Sequence, residues 1–387
     1  MIRFFILILF LINSAVANEL EIWTSNENIK MALEKLVPQF EKDFKAKVKV
    51  TVLNKDLTSQ FKTAAMSGKG PDILCWAHDV VGELASSGLI EPILLDPAIS
   101  SQILPVALKA YTFQNKLYGY PYDLESVAMI YNKDLLKELP TSLEELIGKD
   151  LEFKQKKKNI FLYDFTNFFF SFPILSAAGG YIFKDTGAGL NVKDVGLSNA
   201  GAVQGAKFIK ELAAKGIIPS STERSIAFDK MTKGLLAATI DGPWAINDLK
   251  KAKINYAVAP IPTLAGQTPK PFVGTHGFMI RRSSKRKDLA KELVEGYFMT
   301  KSGIHTIYLA DPRGPSRKDV IAELGNQNKD LQAFMQSAKN GIPMPNVPEM
   351  GAVWGAAGSA LKLIVNQQST PSEAMEKAVQ QIKSATK

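Results

Sequence analysis

The sequence of 387 residues predicts an α/β protein in which helices join the strands of a parallel sheet. Three observations favour this class. Short β-type runs alternate with longer helical runs, the run KVKVTVL at 47–53 alternates between polar and apolar residues, and the gaps between successive strands are long enough for a crossover helix. Ligands of such proteins bind beyond the carboxyl ends of the strands, so the loops there are the first places to search for function.

The first predicted elements form a β-α-β arrangement. Asn28 is expected to cap a helix whose apolar residues recur at steps of three and four, and Pro38 should bend that helix. In order, the elements are a strand at 20–23, the capped helix, a strand at 47–53, a helix from Leu57 to the stop at Ser67-Gly68, and a strand at 72–76. Because helices join successive strands, we expect a parallel sheet that is covered on both faces.

The later part of the chain continues the same pattern. Helices are predicted at 202–214 and 288–298, and a proline-rich pair of strands is predicted at 256–262 and 272–280. The sequence shows no internal repeat and no long flexible linker. If the chain forms two lobes, we therefore expect more than one chain crossing to join them.

Residues 1–17 are typical of a secretory signal peptide. A positive charge at Arg3 precedes an apolar run of about nine residues, and Ala15 and Ala17 form a small-residue cleavage site. The run is far shorter than the roughly 20 residues that cross a bilayer as a helix. The residue directly after the cleavage site is not a cysteine, which excludes lipid attachment there. We expect a mature protein that begins at Asn18 and is free in the periplasm, without a membrane anchor.

The composition argues against several classes of function. The net charge is +9, with 46% apolar and 22% charged residues, as in ordinary folded proteins. Cys75 is the one cysteine in the sequence, so no internal disulfide can form, and three dispersed histidines argue against a histidine-bound metal. The basic residues at 154–158 and 281–287 lack interleaved aromatic residues, so we expect solvated surface rather than a nucleic-acid site.

Side chains that suit sugar recognition lie near predicted strand ends. Trp76 and Asp79 come at the end of the strand at 72–76, and Glu125 follows the turn at 120–124. An indole face matches the C–H-rich face of a pyranose ring, and carboxylates accept hydrogen bonds from its hydroxyl groups. The four tryptophans, each of which can equally pack in a core, are Trp23, Trp76, Trp244 and Trp354. Two carboxylates can also be the acid and nucleophile of a glycosidase, so Asp79 and Glu125 leave both binding and hydrolysis open.

Motifs for other chemistries are missing from the sequence. It contains no G-x-S-x-G elbow, no P-loop, no G-x-G-x-x-G after a strand and no H-E-x-x-H zinc motif. His78 could act as a base beside Asp79, but we expect a structural imidazole, since a base must first be shown to reach a substrate. We therefore expect no catalytic, metal or cofactor site.

Several sequence blocks carry a resemblance to a known family. The blocks are FEKDFKAKVKV from Phe40, GPDILCWAHD from Gly70, SVAMIYNKDLL from Ser126, AAGGYIFKD from Ala177, DGPWA from Asp241, KPFVG from Lys270 and MPNVPEMGAVW from Met344. In this order they resemble the periplasmic maltose/maltodextrin-binding protein family of ABC sugar importers. The resemblance spans the mature region, residues 18–387.

The resemblance implies a clamshell of two lobes, each a β-sheet flanked by helices, joined by a three-segment hinge. Residues 18–123 with 273–326 would form the N-terminal lobe, and residues 124–272 with 327–387 the C-terminal lobe. Such lobes close on a linear α-glucan and then dock on a membrane permease. The resemblance thus implies a monomeric receptor, not an enzyme, whose partners are a maltose- or maltodextrin-like sugar and an ABC importer permease.

The resemblance also assigns ligand-binding roles by position. Glu27 stands where the family has an aspartate, and Phe169 where it has a stacking tyrosine. The matching positions are Glu27, Trp76, Asp79, Glu125, Phe169, Trp244, Met344 and Trp354, with Asn28, Asn167 and Arg224 as further candidates. The chain departs from the family's polar, aromatic or basic residues at Asn28, Thr58, Val80, Asn167, Arg224, Gly355 and Gly358. A lost charge-assisted contact costs about 1–3 kcal/mol, so another disaccharide such as trehalose stays open as the ligand, and hydrolysis by Asp79 and Glu125 stays open as a second function.

Overall fold

The structure is a computed structural model that describes residues 19–187, 189–325 and 327–385. It confirms the α/β class. The predicted signal peptide at 1–17 lies outside the described residues. The strands are β1 (Glu19–Thr24), β2 (Lys47–Val52), β3 (Ile73–Ala77), β4 (Thr112–Phe113), β5 (Lys116–Leu117), β6 (Tyr120–Pro121), β7 (Asp123–Leu124), β8 (Ala128–Asn132), β9 (Asn159–Phe161), β10 (Phe183–Asp185), β11 (Leu190–Val195), β12 (Leu236–Asp241), β13 (Tyr256–Ala259), β14 (Phe272–Val273), β15 (His276–Ile280), β16 (Gly314–Pro315) and β17 (Ile342–Pro343).

Helices follow most of the longer strands. They are α1 (Glu27–Phe44), α2 (Leu57–Met66), α3 (Val81–Ser86), α4 (Pro97–Ser100), α5 (Pro105–Ala110), α6 (Leu143–Gly148), α7 (Asp150–Gln155), α8 (Phe168–Ser176), α9 (Ala200–Ala214), α10 (Arg224–Thr232), α11 (Ile246–Lys251), α12 (Lys287–Leu293), α13 (Lys301–Ala310), α14 (Lys318–Leu324), α15 (Lys329–Lys339), α16 (Met350–Val365) and α17 (Pro371–Ala385). The predicted helix at 288–298 is α12 continued by a π-turn, Val294–Phe298.

Among the described residues, five strands form the first sheet in the order β2-β1-β3-β15-β6. β1, β2 and β3 are parallel, as the β-α-β pattern predicts. β15 runs antiparallel to both β3 and β6. The prediction of a purely parallel sheet is therefore wrong, because β15 enters the sheet from a much later part of the chain and runs opposite to its neighbours.

Asn26, not Asn28, caps α1. Its Oδ1 accepts hydrogen bonds from the backbone N–H groups of Asn28, at 2.9 Å, and of Ile29, at 3.3 Å. The prediction of Asn28 as the cap is wrong because Asn26 has the extended backbone of an N-cap, whereas Asn28 already lies in the first helical turn. Pro38 lies inside α1, and the helix continues past it to Phe44.

In the described chain, four strands form the second sheet in the order β13-β8-β12-β9. β8 is antiparallel to both β12 and β13, and β9 is parallel to β12. Strands lie within both predicted ranges, 256–262 and 272–280, but the prediction that they pair with each other is wrong. β13 pairs with β8, whereas β15 belongs to the first sheet, because the chain passes from one sheet to the other between them.

Two apolar cores accompany the two sheets. The first core holds buried side chains of β1, β15, α1 and α13, and the second holds those of β8, β12, α8 and α16. Along the chain, the buried side chains pass from the first core to the second between 124 and 127. They return to the first core between 272 and 273, and pass to the second core again between 320 and 334. The chain thus crosses between the two cores three times in the part that the structure describes.

Short backbone pairings lie at these crossings. β7 pairs with β16, β14 pairs with β17, and Glu125 forms a bridge with Gly274. The backbones of Glu125 and Gly274 exchange two hydrogen bonds of 2.9 Å. The crossing segments are therefore tied to one another as well as to their sheets.

We expect Gly82→Ala to destabilise the fold. Gly82 lies in α3, its N–H donates to the Asn346 carbonyl at 2.8 Å, and an added Cβ would lie 2.2 Å from that oxygen. Overpacking of this kind costs about 1–3 kcal/mol, so the free energy of unfolding measured by chemical denaturation should fall by that amount.

Gly148→Ala is the matched control for this prediction. Gly148 is exposed in α6, and open space surrounds the position of an added Cβ. Its free energy of unfolding should rise by about 0.4–1 kcal/mol, since alanine reduces the entropy of the unfolded chain. Equal changes in the two variants would show that the contact between α3 and residue 346 is not tight.

Candidate functional site

A cavity of about 990 Å³, which we call the central cavity, is lined by residues that follow strands of both sheets. Its volume falls within the range of about 300–1,000 Å³ that is typical of small-molecule sites. The predicted ligand-binding residues that line it are Trp76, Asp79, Glu125, Asn167, Phe169, Arg224, Trp244, Met344 and Trp354. The structure thus brings together side chains from widely separated parts of the sequence.

The two sheets present their tryptophans in similar ways. Trp76 lies near the carboxyl end of β3, and Asp79 lies in the 3-10 turn His78–Val80 that follows. Trp244 lies in the 3-10 turn Pro243–Ala245 that follows β12. This placement agrees with the rule that α/β sheets bind ligands beyond the carboxyl ends of their strands.

Trp244 is held closely by its neighbours. Its indole lies against the backbone of Gly242, where an added Cβ would be 2.2 Å from Cη2, so a residue with a side chain there would displace the ring. The rings of Phe169 and Phe170 pack beside it, with centroid separations of 6.3 Å and 6.2 Å. The guanidinium of Arg313 lies over the indole, 5.1 Å from the ring centroid. The indole is therefore a fixed wall of the cavity.

Asp79 and Trp354 form a direct link across the central cavity. The indole Nε1 of Trp354 donates to Oδ2 of Asp79 at 3.0 Å. The other carboxylate oxygen, Oδ1, is buried and has no hydrogen-bond partner among the described residues. Burial raises the pKa of Asp79, while His78 and the bond from Trp354 oppose this shift. One oxygen of a cavity-lining carboxylate thus lacks a hydrogen-bond donor within the described part of the protein.

His78 has the structural role that we predicted for it. Its ring is buried, with Nε2 2.8 Å from the Met344 carbonyl oxygen and Nδ1 3.2 Å from both the N and O atoms of Thr275. Burial lowers the pKa of His78, which favours the neutral ring. Both ring nitrogens are used by backbone groups, so this imidazole positions the loop that carries Asp79.

Arg313 is the centre of a buried charge cluster at the floor of the cavity. Its side chain is 11% exposed, and its Nε donates to Oε2 of Glu125 at 2.5 Å. Its Nη1 forms an ion pair with Asp311 Oδ2, which also accepts a hydrogen bond of 2.6 Å from Asn26 Nδ2. Asp123 lies 3.8 Å from Nε. Three carboxylates therefore surround this guanidinium.

His276 completes the cluster. Its Nδ1 lies 3.2 Å from Asp123 Oδ2 and 3.8 Å from Glu125 Oε2. Burial alone would lower the pKa of His276, but the carboxylates of Glu125 and Asp123 outweigh it and raise the pKa. The same balance applies to Arg313, whose pKa is raised by Glu125 and Asp123 against the effect of burial. We name Asp123, Glu125, His276, Asp311 and Arg313 the crossing cluster.

A second ion pair lies on the other side of the cavity. Arg224, the first residue of α10, donates through Nε to Oδ1 of Asp241 at 3.0 Å, and its Nη2 lies 2.9 Å from Oδ2. Its guanidinium also stacks on Phe228, 5.0 Å from the ring centroid. Burial raises the pKa of Asp241, and Arg224 opposes that shift. Arg224 therefore reaches the cavity with its charge already compensated.

Glu27 and Asn28 are not among the residues that line the central cavity. Both lie in the first turn of α1, and the side chain of Glu27 is exposed. Asn26, which caps the same helix, lines the cavity instead. Trp23 packs beside a small apolar cluster of the first sheet and does not line the cavity.

Sequence reasoning missed several polar residues that line the cavity, among them Asn26, His276 and Arg313. Arg313 lies in the run DPRGP, where prolines and glycine indicate a turn but nothing indicates a charge partner. Its partner Glu125 is 188 positions away in the sequence. No local pattern could have joined them.

Two further features bear on the site. Within the described residues, no group of three or more His, Cys, Asp or Glu side chains is arranged to hold a metal ion. None of the described helices combines the length and the apolar character needed to cross a membrane.

Comparison with known proteins adds independent information. The family model of the bacterial extracellular solute-binding proteins matches residues 35–337. The galactooligosaccharide-binding protein of Bacillus subtilis (strain 168) is 29% identical, over 97% of this chain and 91% of the relative. The maltooligosaccharide ABC transporter solute-binding lipoprotein of Streptococcus pneumoniae (strain ATCC BAA-255 / R6) is 30% identical, over 97% of this chain and 90% of the relative.

A third relative extends the comparison. The maltodextrin-binding protein MdxE of Bacillus subtilis (strain 168) is 29% identical, over 87% of this chain and 82% of the relative. These similarities run through both sheets and through the segments that line the central cavity. The chain therefore belongs to the family of bacterial extracellular solute-binding proteins.

Proposed function

We propose that this protein is the sugar receptor of an ABC importer and that it binds a neutral oligosaccharide of pyranose units in the central cavity. The observation that carries the proposal is the buried, unpartnered Oδ1 of Asp79 in a cavity that Trp76, Trp244 and Trp354 line. An unsatisfied buried acceptor costs about 1–3 kcal/mol, and a sugar hydroxyl is a donor that can satisfy it. Indole faces suit the apolar faces of the same ring.

The names of the relatives support this class of ligand. Two of the relatives above are named for maltooligosaccharide or maltodextrin, and one is named for galactooligosaccharide. All three names describe chains of neutral hexoses. We propose maltooligosaccharides as the first candidates and galactooligosaccharides as the second.

We propose that the two sheets are the cores of two lobes that close on the sugar. The lobes would be residues 18–123 with 273–326 and residues 124–272 with 327–387, joined by the three crossings. The separate apolar cores and the changes of core membership at the crossings support this division. A ligand that touches both lobes gains all its contacts only when they close, which favours the closed state.

Several contacts join the two proposed lobes and would form when the lobes close. Trp354 in α16 bonds to Asp79 across the cavity, as described above. Asn247 in α11 donates through Nδ2 to the carbonyl of Ala310, at 3.0 Å, at the end of α13. We infer that these contacts, together with the stacking of Arg313 on Trp244, belong to the closed arrangement.

A groove beside the cavity favours a sugar longer than two units. The groove has a volume of about 730 Å³ and shares Asn167, Arg224 and Trp354 with the central cavity. Gly355 and Gly358 of α16 also line it, and a Cβ at Gly355 would meet no neighbour within 4 Å. The departures from the family at these glycines thus create room. For this reason we propose a trisaccharide or longer chain in preference to trehalose.

The proposal includes a site of action and a transport partner. The secretory pattern at residues 1–17 and membership of an extracellular family support release into the periplasm. One of the relatives is named as part of an ABC transporter. We propose that the mature protein acts there as a monomer and delivers its sugar to an ABC permease.

A ligand screen tests the proposed function directly. Maltose, maltotriose, maltotetraose, galactotriose, trehalose and sucrose would be titrated in calorimetry and tryptophan fluorescence. We expect micromolar binding, about 8 kcal/mol, for maltotriose or a longer chain, and weaker binding for trehalose. A bound sugar should also raise the melting temperature, since it binds only the folded state. No response to any of these sugars would contradict the proposal.

The Asp79→Asn variant tests the role of the unpartnered carboxylate. A hydrogen bond from a sugar hydroxyl to a charged group contributes about 1.5–3 kcal/mol, so we expect the affinity for maltotriose to fall about tenfold or more. Glu27→Gln is the comparison variant, because the resemblance assigns Glu27 to the ligand whereas the structure leaves it outside the cavity. We expect calorimetry to show an unchanged affinity for Glu27→Gln. A loss of affinity in Glu27→Gln with no loss in Asp79→Asn would instead favour the assignment by resemblance.

Mass analysis of incubated sugar separates a receptor from a glycosidase. Glu125 Oε2 accepts a hydrogen bond from Arg313 Nε, so this oxygen is already engaged within the protein, whereas a catalytic acid must reach the glycosidic oxygen of the substrate. We therefore expect maltotriose to be recovered unchanged after long incubation with the protein. Turnover that disappears in Glu125→Gln would instead establish hydrolysis.

A further inference from the structure

Arg313 lines the central cavity and is also part of a buried charge cluster. It lies at the floor of the central cavity, and it is held from several sides by the crossing cluster and by the indole of Trp244. Arginine is a donor fork with five N–H groups and no acceptor. The position of each donor can therefore be compared with the partners that surround it.

The protein partners of Arg313 accept hydrogen bonds from only some of the N–H donors of its guanidinium. In the described chain, its hydrogen bonds use Nε, toward Glu125, and Nη1, toward Asp311. Nη2, with two N–H groups, has no hydrogen bond to those residues. Because the residue lines the central cavity, these donors can serve a ligand there.

The other cations of the cavity are engaged differently. Arg224 binds both carboxylate oxygens of Asp241, and Lys62 lies 2.7 Å from Oε1 of Glu83. Asp241 also has a side-chain hydrogen bond with Trp244, but the guanidinium of Arg224 stacks on Phe228 and not on an indole. Arg313 alone, among the described cavity-lining cations, places a donor beside both a carboxylate acceptor and an indole wall.

We propose that Arg313 is a sugar-recognition residue that reads a pair of neighbouring oxygens on the ring next to Trp244. Nη2 would donate to one hydroxyl oxygen, and Glu125 would accept from the neighbouring hydroxyl of the same ring. The arrangement suits two hydroxyl groups on neighbouring ring carbons, which can reach one donor and one acceptor together. This inference rests on the proposed function, since it specifies how that same cavity recognises its sugar.

The competing explanation is that Arg313 only balances buried charge. Asp123, Glu125 and Asp311 surround it, so its removal would destabilise the protein whether or not it touches sugar. Loss of affinity in a variant is therefore insufficient. The test needs a signal that depends on one hydroxyl of the ligand.

The experiment pairs a variant with sugars that lack single hydroxyl groups. Calorimetry would compare maltotriose, or galactotriose if the screen selects it, with its monodeoxy analogues on the wild-type protein and on Arg313→Lys. Lysine keeps the charge but not the planar fork. For one analogue, we expect the wild type to bind the parent sugar about tenfold to a hundredfold more tightly, and Arg313→Lys to reduce that preference to about threefold or less.

Arg317→Lys is the matched control. Arg317 is a buried arginine four residues further on, which donates to the Met299 carbonyl at 2.8 Å and to Asp319 at 2.6 Å and does not line the central cavity. We expect Arg317→Lys to have a lower melting temperature than the wild type. It should keep the wild-type preference for the parent sugar over each monodeoxy analogue. If Arg313→Lys does not fold, Arg313→Gln combined with Asp311→Asn removes the cation together with one carboxylate and serves in its place.

The outcomes separate this inference from the proposed function. The inference is supported if the Arg313 variant loses the wild-type preference for the parent sugar over one monodeoxy analogue and keeps its preferences over the others. A uniform loss of affinity for all analogues, or unchanged preferences, would overturn it and leave Arg313 a structural residue while sugar binding stands. If the wild type binds none of the sugars, the proposed function fails instead, and the inference fails with it.

Discussion

The buried charge of Arg313 constrains the rest of the structure. Its carboxylate partners lie on different chain segments, Glu125 just after β7 and Asp311 just after α13. Breaking a buried ion pair of this kind leaves an uncompensated charge and costs about 3–5 kcal/mol. The guanidinium therefore ties the first crossing, at Glu125, to the segment that follows α13. Because β7 and β16 also pair there, the geometry of the cavity floor depends on this one side chain.

Aromatic packing extends this constraint to the cavity walls. Phe272, at the second crossing, stacks on Phe172 of α8 with ring centroids 3.8 Å apart and an interplanar angle of 4°. The same ring lies 5.9 Å from Trp354 and 6.0 Å from Phe169. Such pairs add about 0.5–1.5 kcal/mol beyond the burial of their area. Two of the cavity's aromatic side chains thus rest on a residue of the crossing, so movement of the crossing and presentation of the walls are coupled.

Local patterns predicted the elements well and the long-range pairings poorly. The alternation at 47–53 identified β2, and the loop ends at Trp76, Asp79 and Glu125 lie together at the central cavity. The antiparallel entry of β15 into the first sheet was missed, because strand partners that are distant in sequence leave no periodic signal. Arg313 was missed for the same reason, since its charge partners are assembled only by the fold. Nine of the eleven ligand-binding candidates named by resemblance line the central cavity, but Glu27 and Asn28 lie in a helix turn that does not line it.

The charges of the cavity favour a neutral ligand. Arg224 is paired with Asp241, Lys62 with Glu83, and Glu125 with Arg313, so most ionic groups at the wall already have a partner of opposite sign. A charged ligand would have to displace one of these partners and leave it without compensation at low dielectric, which is costly. A polyhydroxylated ring instead uses the remaining lone pairs and N–H groups without disturbing any ion pair. The acceptor at Asp79 Oδ1 and the aromatic walls then supply what such a ring requires, a hydrogen-bonding edge and an apolar face. Because these interactions break no covalent bond in the ligand, the same geometry that captures a sugar also allows its release.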